Sequence, residues 1–139
     1  MKRKIIPDCD PEHGDVIAMI TAGLSDDIEL LGITTVAGNS YLENITKNAL
    51  IILELAGIDI EIHPGQQDFL LKNQVVAHDI HGYSGLEGAN LRKPSRASSK
   101  EVAVHFMAKM LEENKEAKFP CSCKNGQKKI YRPFEEKMT

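Results

Sequence analysis

The sequence predicts an α/β fold in which a mainly parallel sheet is flanked by helices, giving three layers. Short apolar and β-branched runs alternate with longer segments whose apolar residues recur at helical spacing. The length of 139 residues, with 42% hydrophobic content, suits one globular domain with its own core. Such alternation predicts right-handed crossovers and a ligand crevice at the carboxyl ends of the strands.

Strands and helices follow one another in pairs along the chain. The predicted strands are short and apolar and span Lys4 to Asp8, Ile28 to Val36, and Ile58 to Ile62. The predicted helices carry an apolar stripe and span Gly14 to Leu24, Tyr41 to Ala56, and Ser98 to Leu111. Ser98 or Ser99 is the expected N-cap of the last helix.

Charge divides the chain into two parts. Residues 1–114 carry 10 basic and 17 acidic residues, net −7, whereas residues 115–139 carry 7 basic and 3 acidic residues, net +4. Hydrophobic periodicity is lost at the same place. We therefore expect residues 1–114 to fold and residues 115–139 to form a divergent, basic and poorly ordered tail.

Several classes of protein are disfavoured by composition. The net charge is only −3, and no apolar run approaches the ~18 residues of a membrane span, so neither a membrane partner nor a nucleic-acid partner is expected. The chain starts without the apolar core of a signal peptide. Its odd count of cysteines, Cys9, Cys121 and Cys123, suits free thiols in a reducing compartment. A cytoplasmic location is the expectation.

Three carboxylates cluster where the first predicted strand ends. Side chains alternate along a strand, so Asp8 and Asp10 leave the same face while Cys9 points the other way. Asp15 lies near the start of the next helix, from where its carboxylate can turn back to the same point. Crowded carboxylates repel one another unless a cation or a proton lies between them, and oxygen ligands favour Ca²⁺ or Mg²⁺ over zinc. Helix capping alone is the alternative that this spacing leaves open.

Two further segments carry polar groups that could face a ligand. Asn39 follows Gly38 at the end of the second strand, where its amide can hydrogen-bond to a pair of hydroxyl groups. A simple turn at this position is the alternative. The glycine-rich stretch from His78 to Gly88 suits a binding loop. His78 and His81 lack further ligands at zinc spacing, so loop histidines are the alternative to a metal role.

Together these motifs resemble the family of inosine-uridine-preferring nucleoside hydrolases. The matching segments are Asp8-Cys9-Asp10-Pro11 with Asp15, Gly32-Ile33-Thr34-Thr35-Val36-Ala37-Gly38-Asn39, and Ile80-His81-Gly82. The first is the diagnostic aspartate cluster of the family, and the resemblance extends from about Lys4 to about Glu113. Residues 1–114 would then be the N-terminal part of a nucleoside hydrolase domain.

The resemblance implies a Ca²⁺-dependent glycosidase of purine and pyrimidine salvage that cleaves ribonucleosides to ribose and free base. Asp10 would be the general base for the attacking water and a calcium ligand. Asp15 would be a second calcium ligand, and Asp8 would support the metal cluster. Asn39 would contact the ribose and His81 would lie on the nucleobase side of the pocket.

The sequence departs from the family pattern at two positions of the first motif. Glu12 stands where the family has glycine, and Gly14 stands where it has the first of two adjacent aspartates. The change at Gly14 removes an acceptor for a ribose hydroxyl, so we expect impaired hydrolysis. Later family segments do not follow after Glu113, which leads us to expect a truncated member.

Two other functions are alternatives to the hydrolase. A catalytically inactive pseudoenzyme or binding module would retain ligand or subunit contacts without turnover. A haloacid-dehalogenase-like phosphatase would use Asp8 and Asp10 as nucleophile and acid, but Glu12 stands where Thr or Val is usual in that family. Assembly into a homo-oligomer is open under each of these functions.

Overall fold

The computed structural model describes residues 2–11, 13–38, 40–67 and 92–114. The strands in these ranges are β1 Arg3–Ile5, β2 Asp8–Cys9, β3 Ile28–Leu30, β4 Ile33–Thr35 and β5 Ile62–Pro64. The helices are α1 His13–Leu24, α2 Leu42–Ala56 and α3 Ala103–Glu113. No helix in the described ranges is long and apolar enough to cross a membrane. The predicted alternation of strands and helices is confirmed.

All strand pairs in the described residues are parallel. β1 pairs with β3, and β4 lies between β2 and β5. The first two predicted strands are each interrupted. The first is divided into β1 and β2, the second is divided into β3 and β4, and the two interrupted strands lie side by side. Backbone hydrogen bonds bridge the interruption, from Leu31 N–H to the Ile5 carbonyl at 3.1 Å and from Thr34 N–H to the Pro7 carbonyl at 2.9 Å. Pro7 has no N–H for the ladder, which accounts for the break.

Helices cover both faces of the sheet. The Thr35 hydroxyl contacts the Thr46 hydroxyl of α2 at 2.9 Å, which places α2 on one face. His63 stacks on Phe106 of α3 with ring centroids 3.7 Å apart. Since His63 is in register with Thr34, and Thr34 and Thr35 point to opposite faces, α3 covers the other face. The predicted three-layer architecture is therefore confirmed.

The main core lies between the sheet and the pair of helices α1 and α2. It is a cluster of buried apolar side chains: Cys9, Met19, Ile33, Ala49, Leu50, Leu53, Ile58 and Ile62. Ile33 and Leu53 have no exposed surface. Full burial of one such side chain stabilises the folded state by roughly 1.5–3 kcal/mol. This core fixes the strand ends on which the candidate site is built.

The third strand begins later than the sequence predicts, because Ile58 belongs to the end of α2. Gly57 adopts φ 67°, and its N–H bonds back to the Glu54 carbonyl. The Ile58 N–H donates to the Leu53 carbonyl at 2.9 Å, and both side chains join the core. This is a Schellman ending of a helix, and it uses the backbone that a strand from Ile58 would need. Consequently β5 spans Ile62–Pro64.

The last helix also begins later than predicted, and neither candidate serine caps it. Its N-cap is Val102, which makes no side-chain cap hydrogen bond. The Ser99 N–H instead donates to the Ile62 carbonyl at 2.8 Å, which holds it at the edge of β5. The Ser99 hydroxyl accepts from the Glu101 N–H at 3.3 Å. Contacts with β5 therefore replace the expected local cap.

Glu54 of α2 accepts hydrogen bonds from residues 95–96, in the segment that precedes α3. Its Oε1 accepts hydrogen bonds from the Ser95 N–H at 2.7 Å, the Ser95 hydroxyl at 2.8 Å and the Arg96 N–H at 3.1 Å. These bonds, led by the Ser95 hydroxyl, hold the pKa of Glu54 below its usual value, although desolvation opposes them. A carboxyl whose pKa is lower in the folded state stabilises that state while it is ionised.

The Glu54→Gln variant is expected to lose part of the pH dependence of stability. In the wild type, the stabilising contribution of Glu54 is present above its ordinary pKa of 4.5 and is lost as the pH falls through the lower folded-state pKa. The free energy of unfolding, measured by urea denaturation across this range, should fall less steeply in the variant. The exposed residue Glu112 supplies a control, since Glu112→Gln should keep the wild-type slope. Equal slopes for wild type and Glu54→Gln would contradict the assignment.

Candidate active site

Polar groups meet at the carboxyl ends of β2 and β4. Asp10 directly follows β2, and Val36 to Gly38 follow β4. The Val36 N–H donates to the Cys9 carbonyl at 3.1 Å, so the two chain segments stay paired as they leave the sheet. Parallel strands bring their carboxyl ends to one edge, where α/β folds bind their ligands. The structure thus places Asp10 at the predicted edge.

Asp15 turns back from the first turn of α1 towards Asp10. Its Oδ2 accepts a hydrogen bond from the Asp10 N–H at 3.0 Å. A carboxylate in this position is also favoured by the partial positive charge at the N-terminus of the helix. The predicted approach of Asp15 to the end of the strand is therefore seen, and the contact fixes the backbone that carries the Asp10 carboxylate.

Gly38 lies directly against the side chain of Asp10. A Cβ atom at Gly38 would lie 2.8 Å from Cγ and 3.0 Å from Cβ of Asp10, and still closer to its Oδ2. These separations are too short for any larger residue without movement of the carboxylate. The lack of a side chain at Gly38 therefore allows the Asp10 carboxylate its present position, a role that could not be predicted from the sequence, where Gly38 indicates only a turn. Close backbone approach is a known reason for glycine after a strand.

Asp8 is held by the central strand. Its Oδ1 accepts a hydrogen bond from the Thr34 hydroxyl at 2.7 Å, and the two residues are paired in register between β2 and β4. The side chain of Thr34 is fully buried. Asp8 could be predicted as a site residue from the sequence and Thr34 could not, since their pairing depends on the register of the strands.

Cys9 points into the core between the two aspartates, as strand alternation predicts. It is a free, buried cysteine whose Sγ lies 3.6 Å from the Thr34 carbonyl. Burial raises the pKa of its thiol, and the negative charges of nearby carboxylates raise it further, in the order Asp15, Asp8 and Asp10. The thiol is therefore neutral, and a neutral thiol is a poor metal ligand and nucleophile.

Gly14 precedes Asp15 in the first turn of α1. The residue is exposed in the first turn of α1, and a Cβ atom placed on it would meet no heavy atom within 4 Å. The described residues therefore leave room for the Cβ of a larger residue at this position. The family motif has a carboxylate here, so this chain lacks one acidic group for a reason other than space.

The donors at this edge fit a hard cation in part. Within residues 2–11, 13–38, 40–67 and 92–114, no three His, Cys, Asp or Glu side chains are grouped closely enough to hold a metal ion. Ca²⁺ takes roughly six to eight oxygen ligands, so Asp10 and Asp15 suit one side of such a set and do not complete it. Glu12, Asn39 and His81 lie outside the described residues.

Comparison with known proteins supplies independent information on this chain. Residues 5–122 match the sequence profile of the family described as inosine-uridine preferring nucleoside hydrolase. An uncharacterised protein of Schizosaccharomyces pombe is 46% identical over 112 residues, which are 80% of this chain and 36% of that protein. The pyrimidine-specific ribonucleoside hydrolase RihB of Escherichia coli is 40% identical over 106 residues, which are 76% of this chain and 34% of the enzyme.

Solved structures show the same relationship in three dimensions. The purine-preferring ribonucleoside hydrolase from Gardnerella vaginalis aligns with a TM-score of 0.75 and 27% identity. The alignment covers 84% of this chain and 39% of that enzyme. The chain therefore spans about a third of the length of the curated relatives it matches, at 36% and 34%.

Proposed function

Because the chain belongs to the family of inosine-uridine preferring nucleoside hydrolases, we propose that it hydrolyses the N-glycosidic bond of ribonucleosides to give ribose and free base. The observation that carries the proposal is the position of Asp10 at the carboxyl end of β2, with Asp15 bonded to its backbone and Gly38 beneath its side chain. This arrangement fixes one carboxylate at the edge where an α/β fold binds its ligand.

Asp10 is the proposed general base. An ionised carboxylate at this edge can accept a proton from a water molecule that attacks the anomeric carbon of the ribose. As the water adds, the bond between the anomeric carbon and the base nitrogen breaks through a transition state with positive charge on the sugar ring, and the departing nitrogen takes a proton from solvent water. The negative charges of Asp8, Asp10 and Asp15 stabilise that positive charge. Asp15 acts here through its bond to the Asp10 N–H, which holds the base in place.

Ca²⁺ is the proposed cofactor, with Asp8, Asp10 and Asp15 among its ligands. When bound, a divalent cation of this kind holds sugar hydroxyls and lowers the pKa of a coordinated water molecule. Carboxylate oxygens suit Ca²⁺, and the neutral thiol of Cys9 does not compete with them. From the family motif we further propose that Asn39 contacts the ribose and His81 the nucleobase.

We propose that hydrolysis by this chain is slower than in relatives with the complete motif. Gly14 supplies no carboxylate to accept a hydrogen bond from the ribose, and no described atom lies within 4 Å of a Cβ placed there. A pseudoenzyme that binds ribonucleosides without turnover is the second candidate, since the same departure favours it. Membership of the hydrolase family argues against the phosphatase alternative.

The proposed cellular setting follows from the same chemistry. Release of ribose and free base suits purine and pyrimidine salvage, and the free thiol of Cys9 suits the reducing cytoplasm. A homo-oligomer of this chain is compatible with the proposal. We also propose that residues 115–139 are a divergent basic tail.

The Gly14→Asp variant is expected to raise kcat/KM for inosine and uridine by roughly 10-fold, the effect of one hydrogen bond to a charged group. Among the described residues no atom obstructs the new Cβ, and a carboxylate in the first turn of α1 also interacts favourably with the helix dipole. The measurement is the initial rate of ribose release in the presence of Ca²⁺.

A matched control separates the hydrogen bond from the effects of helix stability. Gly14→Asn adds a side chain of the same size without the negative charge, so it should remove the conformational freedom of glycine in the same way, without the helix-dipole interaction, and should recover much less activity. Equal rates for wild type, Gly14→Asp and Gly14→Asn would overturn the explanation of impaired hydrolysis. Turnover by the wild type itself decides between the hydrolase and the pseudoenzyme.

A further inference from the structure

Thr34 lies on β4, the strand between β2 and β5, just before the carboxyl end that contributes Gly38 to the candidate active site. The residue has no exposed surface, and neither do its neighbours Ile33 and Thr35 on β4. Hydrogen-bonded strands lie on both sides of β4, and helices cover both faces. The hydroxyl of Thr34 is therefore attached to one of the most constrained parts of the described chain.

The Thr34 hydroxyl has one proton and two acceptors within reach. Asp8 Oδ1 lies at 2.7 Å, and the Pro7 carbonyl lies at 3.3 Å. The Pro7 carbonyl already accepts the Thr34 N–H at 2.9 Å. The shorter distance is typical of a hydroxyl that donates to an ionised carboxylate. The proton therefore lies towards Asp8.

The bond fixes one of the two oxygens of Asp8. With Oδ1 directed at Thr34 on the sheet, this bond restricts the rotation of the Asp8 carboxylate. The Asp8 carboxylate is thus bonded to a fully buried side chain of the central strand. Removal of a group that orients a metal ligand through a hydrogen bond commonly weakens metal binding by about tenfold or more.

We propose that Thr34 is a positioning residue that holds Asp8 in the rotamer required for cation and ribose binding. Thr34 does not touch the substrate and acts only through Asp8. The functional part of this inference rests on the proposed hydrolase function, whereas the control of the Asp8 rotamer does not. The two parts are therefore tested by separate measurements.

The first measurement is the χ1 rotamer of Asp8 in the full chain without added cation, from three-bond NMR couplings. Thr34→Val keeps the shape of the side chain and removes the hydroxyl, and it should convert a single rotamer into an average of several. Thr34→Ala removes the same hydroxyl with a smaller side chain and should give the same result. Thr34→Ser keeps the hydroxyl and should retain the single rotamer.

Thr35→Val is the matched control. It removes a buried threonine hydroxyl from the next residue of β4, but that hydroxyl bonds to Thr46 on the opposite face of the sheet. The control should lose thermal stability in the same way as Thr34→Val and leave the Asp8 rotamer unchanged. A comparable change of the Asp8 rotamer in Thr35→Val would show a general loss of packing and would overturn the proposal.

The second measurement is the Kd for Ca²⁺ by calorimetry. Thr34→Val should weaken binding by roughly tenfold, whereas Thr34→Ser and Thr35→Val should stay within about twofold of the wild type. A single Asp8 rotamer in Thr34→Val, or unchanged Ca²⁺ affinity in that variant, would overturn the proposed role. If the wild type binds no Ca²⁺ while the rotamer depends on Thr34, the cation site of the proposed function fails and the positioning of Asp8 by Thr34 is supported.

Discussion

Replacement of Asp10 by asparagine is expected to reduce kcat/KM for ribonucleoside hydrolysis by on the order of 10³-fold, because the amide cannot accept the proton of the attacking water. The two side chains have the same shape, and the bond to Asp15 comes from the Asp10 backbone N–H, so the fold should be retained. The measurement is the rate of ribose release from inosine and uridine, with the melting temperature recorded for each protein.

The control for this variant is another aspartate outside the site. Asp26 is exposed in the turn after α1, and Asp26→Asn should leave both rate and melting temperature unchanged. If Asp10→Asn retained more than about a tenth of the wild-type rate, Asp10 would not be the general base, since such groups contribute roughly 10²-fold or more.

The Gly38→Ala variant is expected to lower kcat/KM by roughly 10²-fold, the effect of a displacement of about 1 Å in a reacting group. The added methyl group would overlap the Asp10 carboxylate, whose Cγ is 2.8 Å from the position of the new Cβ. Asp10 is short and tied at its backbone to Asp15, so the carboxylate must rotate away from its present position. Rates and Ca²⁺ affinity should fall together.

Gly57→Ala provides the comparison for Gly38→Ala. Gly57 has φ 67° at the end of α2, so alanine there is strained and should lower the free energy of unfolding by about 1 kcal/mol. Because this position is remote from Asp10 in the fold, kcat/KM per folded molecule should not change. If the activity of Gly38→Ala fell only in proportion to its stability, the close contact with Asp10 would have no functional consequence.

Local sequence patterns predict much of the fold and part of the site. The order of strands and helices follows from apolar spacing, and parallel pairing follows from their alternation. The position of Asp10 could be predicted because it directly follows a strand. The approach of Asp15 could be predicted because only one turn separates the strand from α1. These features depend on residues close together in the chain.

Features that depend on distant pairing could not be predicted. Thr34 and Asp8 are 26 residues apart in the chain and meet only through the register of two strands. The contact between Gly38 and Asp10 depends on the same pairing. The ends of elements were also misplaced where tertiary contacts compete with local propensity, as at Ile58 and at Ser99, which bonds to β5 and does not cap α3.

The most direct test of the proposed function is the incubation of the purified chain with inosine and uridine in the presence of Ca²⁺, with ribose and free base measured together. The proposed function predicts that both products appear in equal amounts, more slowly than with the RihB enzyme of Escherichia coli at equal concentration, and that Asp10→Asn slows their release by on the order of 10³-fold. Absence of product from the wild-type chain, or equal release by Asp10→Asn, would contradict it.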